Sequence, residues 1–252
     1  MREDVFTMLK VAALAWSLLA STAYAAATVL LWPIDPWLSA DRNATELWIE
    51  NQGSNATTMQ VRIVRWRQEG GLERYESQQE MVASPPILRI GKGKKQLVRL
   101  IRQTAPPAGI EQAWRIIVDE IPQPDEDTEA KIGLKLQMRY SIPLFSYGEG
   151  ITTYREGAHS ALVEQKDLRW WVVTDSDGPA IEVHNDGKVH LRISKVSVRQ
   201  NGRRYTLADG LLGYVLPGEF RRWSLPAEAR KPTEMSASIN ARDAQWKSAP
   251  GY

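Results

Sequence analysis

Residues 131–145, KIGLKLQMRYSIPLF, place Ile132, Leu134, Leu136, Met138 and Tyr140 at every second position, with Lys131, Gly133, Lys135, Gln137 and Arg139 between them. Strict alternation of this kind cannot form the stripe of a helix and predicts a β-strand buried on one face. Pro143 is expected to close the strand, and an acidic, proline-bearing loop over 122–129 opens it. Because proline removes a ladder donor, the strand is assigned to a sheet edge. A long edge carrying large apolar side chains invites aggregation unless something covers it. The expected cover is another protein.

The remainder reads as short strands punctuated by turns, with hardly a helical period. Runs over 29–37, 46–50, 59–68, 72–76, 87–90, 96–102 and 114–121 carry the pattern ahead of the apolar strand. Pro33 and Pro36 break the first run, again an edge feature. Gly70-Gly71 joins 59–68 to 72–76 as a hairpin, with Val61, Ile63 and Arg65 on one face and Arg62, Val64 and Trp66 on the other. Seven or so strands in this span predict an immunoglobulin-like sandwich. After residue 166, runs over 168–174, 180–184, 189–198, 203–207, 211–216, 220–225 and 234–239 are separated by turns at Asp177-Gly178, Asp186-Gly187, Asn201-Gly202 and Pro217-Gly218. They predict a second, smaller all-β sandwich.

The start of the chain points to export. Arg2 and Lys10 precede an apolar run at 11–20 interrupted only by Ser17, and Ala23-Tyr24-Ala25 offers small residues at the spacing a signal peptidase reads. The run is about half the roughly 20 residues of a membrane span, so cleavage near Ala26 is expected, with no stable membrane insertion. The expected organisation is a signal peptide at 1–25, a first domain with the apolar strand at 26–146, a linker or long loop at 147–166, and a second domain at 167–252. A formal charge of +2 calls for no nucleic acid, and the absence of cysteine excludes disulfides and thiolate metal sites.

Rival constellations are weak. The basic run from Arg89 to Arg102, with Lys92, Lys94, Lys95 and Arg99, falls where alternate residues are apolar and reads as a solvated edge. Asp175, Asp177, His184 and Asp186 read as turn signals rather than metal ligands. Gly91-Lys92-Gly93-Lys94 lacks phosphate-loop spacing, and no serine sits in a nucleophile elbow. No cofactor, metal or catalytic activity is expected.

Ser84-Pro85-Pro86-Ile87, QLVRLIRQ from Gln96, EQAWRIIVDEIP from Glu111 and MRYSIPLF from Met138 together resemble the signature of periplasmic fimbrial assembly chaperones. LLWPIDPW from Leu30, FSYGEG from Phe145 and GLLGYVLPG from Gly210 resemble the archaic, Csu-type branch of chaperone-usher systems. The resemblance implies two immunoglobulin-like domains in a boomerang with a cleft between them. It also implies that the chain holds fimbrial subunits (spore coat protein U-like) whose own sandwich lacks a strand, and delivers them to an outer-membrane usher. The residues suit that role, because an edge strand can repair such a subunit's sheet while Ile132, Leu134, Leu136, Met138 and Tyr140 fill its groove. Each apolar side chain brings about 1.5–3 kcal/mol of burial.

The resemblance further implies basic cleft residues that receive the subunit's terminal carboxylate and so fix the register. In the better-known branch one lies at the start of the first strand. Here no Arg or Lys occurs between Ala26 and Arg42, so Arg139 and Arg115, on neighbouring antiparallel strands, are the candidates, with Arg99, Arg102 or Lys131 next. The alternative to the whole reading is an exported two-domain binding or adhesion module whose apolar strand packs within itself or in a homodimer.

Overall fold

The alternating runs fold as the pattern dictates. The computed structural model describes residues 29–122, 137–151, 165–176, 178–240 and 245–251, which form strands joined by turns plus a 3-10 turn at Gln165–Asp167. Strands β1 (Val29–Trp32), β2 (Trp37–Leu38), β3 (Ala44–Asn51), β4 (Thr57–Glu69), β5 (Leu72–Glu76), β6 (Met81–Ser84), β7 (Ile87–Ile90), β8 (Lys95–Arg102), β9 (Glu111–Ile121) and β10 (Arg139–Tyr147) make the first sandwich. One sheet runs β1-β3-β8-β6 and the other β2-β10-β9-β4-β5, with β7 also on β4. Pro33 and Pro36 stand where the chain leaves the first sheet and enters the second. Leu47, Ile49, Met59, Val61, Trp114, Ile116, Val118 and Leu144 fill the space between the sheets. The 59–68/72–76 hairpin forms, and Val61 and Ile63 do face this core.

The second sandwich contains β11 (Leu168–Asp175), β12 (Gly178–Asn185), β13 (Leu191–Gln200), β14 (Arg203–Val215), β15 (Phe220–Ser224), β16 (Glu234–Ile239) and β17 (Gln245–Ser248). Its sheets run β11-β12-β15 and β14-β13-β16-β17 around Trp170, Ile181, Val183, Ile193, Val196 and Met235. Asn201 and Gly202 take φ of 50° and 76°, the paired positive values of a tight hairpin turn. The runs at 203–207 and 211–216 are one strand, not two. Register shifts around Ser194 and Val196, with Lys195 at φ 51°, lie opposite Asp209 and Gly210, between those two runs.

The apolar strand also departs from expectation. Pro143 does not close it but lies in the middle of β10, which continues to Tyr147. Backbone direction explains this. The Phe145 N–H points to Pro36 O, on the side away from β9, and N–H direction alternates along a strand. Pro143 shares that outward parity, so its missing donor removes no bond to β9. Along Arg139 to Leu144 that outward side has no strand partner among the described residues, since β2 meets only Phe145 and Ser146.

Directly after β10, Gly148 is wedged against the 107–110 turn. A Cβ there would run into Pro107 O and stand 3.1 Å from Ile110 O. Gly148→Ala is therefore expected to cost about 1–3 kcal/mol by overpacking against backbone that cannot swing aside. The urea midpoint should fall, whereas Gly210→Ala, which meets nothing within 4 Å, should leave it in place.

Candidate functional site: the cleft between the domains

Two surfaces of the first sandwich decide how the domains meet. Even-numbered residues of β10 face the core, and odd-numbered ones share the outer face of the sheet with Arg115, Ala113 and Trp66. At its lower end this outer face is itself buried: Trp66, Ala113, Phe145 and Tyr147 pack on Val189, Tyr214 and Leu216 of the second domain. Trp66 meets Tyr214 edge-on at 5.5 Å, a geometry worth about 0.5–1.5 kcal/mol beyond its area.

Polar bolts fasten the same junction. The Glu111 carboxylate, almost wholly buried, accepts the His190 N–H at 3.0 and 3.1 Å and lies 2.9 Å from His190 Nδ1. The His190 ring stacks on Phe145 at 3.5 Å. Gln68 donates to Tyr214 O at 3.0 Å and accepts the Leu216 N–H at 2.9 Å, while Glu73 accepts from Trp66, Gln68 and Arg221. Burial in the first place, with the Glu111 and Asp35 charges adding to it, pushes the Tyr147 phenol well above its usual range, so it stays neutral. These contacts set the angle between the domains.

Above the junction lies a cavity of about 760 Å³, lined from one side by β1 and β10 and from the other by β13, β14 and Asn240. Its wall is mainly apolar. Leu30, Ile34 and Leu211 are 47, 68 and 48 % exposed on it, a large apolar exposure in one place. Among its charged linings, Arg115 is distinctive. Its guanidinium lies 3.8 Å above the Trp66 ring and 5.4 Å from that of Tyr214, and its buried Nε finds no acceptor. Burial lowers its pKa, yet an arginine keeps its proton. The result is a dehydrated cation with unspent hydrogen-bonding capacity at the foot of an apolar cleft.

Of the other anticipated residues, Ile132, Leu134 and Leu136 lie outside the described residues. Met138 is exposed and passes its carbonyl to the Glu120 N–H. Tyr140 packs on its own domain's core, lines the cleft, and donates to Val29 O at 3.3 Å. Arg139 and Arg115 do not converge. Register puts Arg139 opposite Asp119 and Arg115 opposite Pro143, about 13 Å apart along the strand. Arg139 is exposed and pairs with Asp119, which Arg62 also holds at 2.6 Å. Although burial pulls the Asp119 carboxyl upward, those two arginines hold it below its ordinary range. Arg102 is committed to the Ser39 and Ala40 carbonyls and to Ser146.

Sequence reasoning missed His190, Arg192, Tyr214 and the junction role of Trp66. Only Trp66 left a signal, an aromatic residue on the face opposite Val61 and Ile63. Asp186 pairs with Arg169, and His184 bonds Glu182 and stacks on Phe220.

A model of the pili and flagellar-assembly chaperone family, PapD N-terminal domain, matches residues 37–151. The chaperone of the CsuC–CsuE chaperone–tip adhesion subunit pre-assembly complex, from the archaic chaperone-usher Csu pili of Acinetobacter baumannii, is 30 % identical with a TM-score of 0.68, over 88 % of this chain and 97 % of that one. Structural likeness extends to a chain of the Salmonella enterica SafA pilin–SafB chaperone complex (15 % identity, TM-score 0.63, 88 and 95 % covered) and to the E. coli chaperone DraB (16 %, 0.61, 88 and 96 %). No curated protein matches significantly.

Proposed function

Since the chain belongs to the family of pilus-assembly chaperones, we propose that it caps fimbrial subunits in the periplasm by lending them a strand, and passes them to an outer-membrane usher. Chaperones of this family are periplasmic, and the N-terminal 1–25 segment is the signal that would take it there. The observation that carries the reading is the flank of the first sandwich. The outward edge of β10 stands unpaired, among the described residues, beside an apolar cleft. An incoming subunit strand finds ladder partners on that edge and apolar wall beside it, the donor-strand form of β-augmentation.

Period two extends the argument to the residues ahead of β10. Tyr140, Ile142 and Leu144 face the chaperone's own core, and in the sequence the same alternation continues through Met138, Leu136, Leu134 and Ile132. These are the side chains that fill a subunit's groove. Arg115 is the cation that receives the subunit's terminal carboxylate and fixes which residue enters which pocket. Arg139, already paired at the surface, has a lesser part in it.

Leu136→Glu tests this directly. It forfeits about 1.5–3 kcal/mol of apolar burial and places a charge in a dry groove, so capture of co-expressed strand-deficient subunits should drop at least about tenfold. The circular dichroism spectrum should stay unchanged, and Leu72→Glu, on the exposed surface of β5, should capture normally. If Leu136→Glu instead unfolds the protein, the side chain belongs to its own core.

A further inference from the structure

Sulfur chemistry in this chain belongs to methionine alone. The sequence has no cysteine and six methionines, of which Met1 and Met8 precede the expected cleavage point. Met59, Met81 and Met235 are 1 % exposed or less, packed inside the two cores, whereas Met138 is 41 % exposed. An oxidant in solvent attacks the thioether it can reach, so among the described residues Met138 is the sulfur it meets first.

The place of Met138 in the fold gives that access a consequence. Along one face of the strand Leu144 is fully buried, Ile142 is 6 % exposed, Tyr140 is half-buried against the core and Met138 stands in solvent. Met138 is therefore the point at which the apolar row leaves the chaperone's own core. Its backbone is nonetheless fixed, because its carbonyl accepts the Glu120 N–H at 3.3 Å and the next residue, Arg139, enters the ladder opposite Asp119. A thioether that belongs to neither core is thus held at a set position on the strand that caps subunits.

We propose that Met138 is an oxidation site whose conversion to the sulfoxide turns capping off. The inference rests on the capping function above and adds a covalent control to it. The co-reactant is a two-electron oxygen donor, hypochlorous acid or hydrogen peroxide. Its oxygen passes to sulfur, an S–O bond forms while the O–Cl or O–O bond breaks, and the sulfur gives up two electrons. Chloride and a proton leave in the first case and water in the second. The product is a polar, chiral side chain in place of a flexible apolar one. In free chaperone the new oxygen stays hydrated, but an apolar subunit groove offers it no donor. The fold is spared, because the methionines whose oxidation would disrupt a core are shielded from the oxidant. A bound subunit covers the thioether, so the reaction acts on free chaperone rather than on the capped complex.

The test treats the purified mature chain with limiting hypochlorous acid and follows each methionine by peptide mass spectrometry. Met138 should oxidise at least about tenfold faster than Met59, Met81 and Met235, with the melting temperature unchanged. Affinity for a purified strand-deficient fimbrial subunit should fall about tenfold or more. Methionine sulfoxide reductases for both epimers, supplied with a dithiol as electron donor, should restore it. Met138→Leu, whatever its starting affinity, should keep that affinity through the same treatment. Undiminished capture by chain oxidised at Met138, an equal loss in treated Met138→Leu, or equal oxidation of all four methionines would overturn the inference. If the untreated protein holds no subunit, the capping function fails and the inference falls with it.

Discussion

Arg115→Ala should weaken subunit capture by about 2–5 kcal/mol, the loss when one partner of a buried charge pair is removed. The substitution strips the cleft of a cation that burial has already dehydrated, leaving a subunit's carboxylate to enter an apolar wall under-paired. It also takes a guanidinium off the Trp66 ring at 3.8 Å, so part of the loss is packing, and Arg115→Met separates the two by keeping the stem. Arg139→Ala gives the scale for comparison. Its ion pair with Asp119 is exposed, and exposed pairs are worth about 0–1 kcal/mol. Titration of purified chaperone with subunit should show a loss of at most about 1 kcal/mol for Arg139→Ala against the unmutated protein. Equal losses at both positions would move the anchor out of the cleft.

Glu111→Ala should have the largest effect on stability. The carboxylate serves both the backbone N–H and the ring of His190 inside a closed junction, and buried polar groups stripped of their partner cost about 1–3 kcal/mol apiece. Two such groups make about 2–6 kcal/mol, which lowers the melting temperature of a protein this size by on the order of 10 °C. Glu76→Ala, removing an exposed partner of Arg67, is the matched control. Should the two variants melt together, the aromatic cluster around Trp66 and Phe145 holds the domains unaided.

What the sequence disclosed followed from periodicity. Alternation needs no partner to be seen, so most strands, both sandwiches and the hairpin at Gly70-Gly71 were readable from residues alone. Pro143 was misread because sequence shows that a donor is missing but not toward which side it would have pointed; only the Phe145 N–H, aimed at Pro36 O, settles that. The pairing of Arg139 with Arg115 failed for a related reason. Both lie on the outer face of the sheet, but register, which sequence does not contain, sets them four residues apart. His190, Arg192 and Tyr214 were invisible because their role exists only where two domains meet. A half-polar strand such as β13 looks the same whether its outer face meets solvent or another sandwich.

The strand-lending account is tested most directly at single amides of β10. Ser141 shares the outward parity of Phe145, and its N–H has no strand partner among the described residues; the Ile142 N–H points to β9. Hydrogen exchange followed residue by residue, on free chaperone and on the purified complex with a subunit, separates these two. The Ser141 amide should exchange fast in the free protein and become protected in the complex, with Ile142 protected in both. A complex that forms while Ser141 continues to exchange at its free rate would mean that the subunit is held elsewhere, and that β10 lends it no edge.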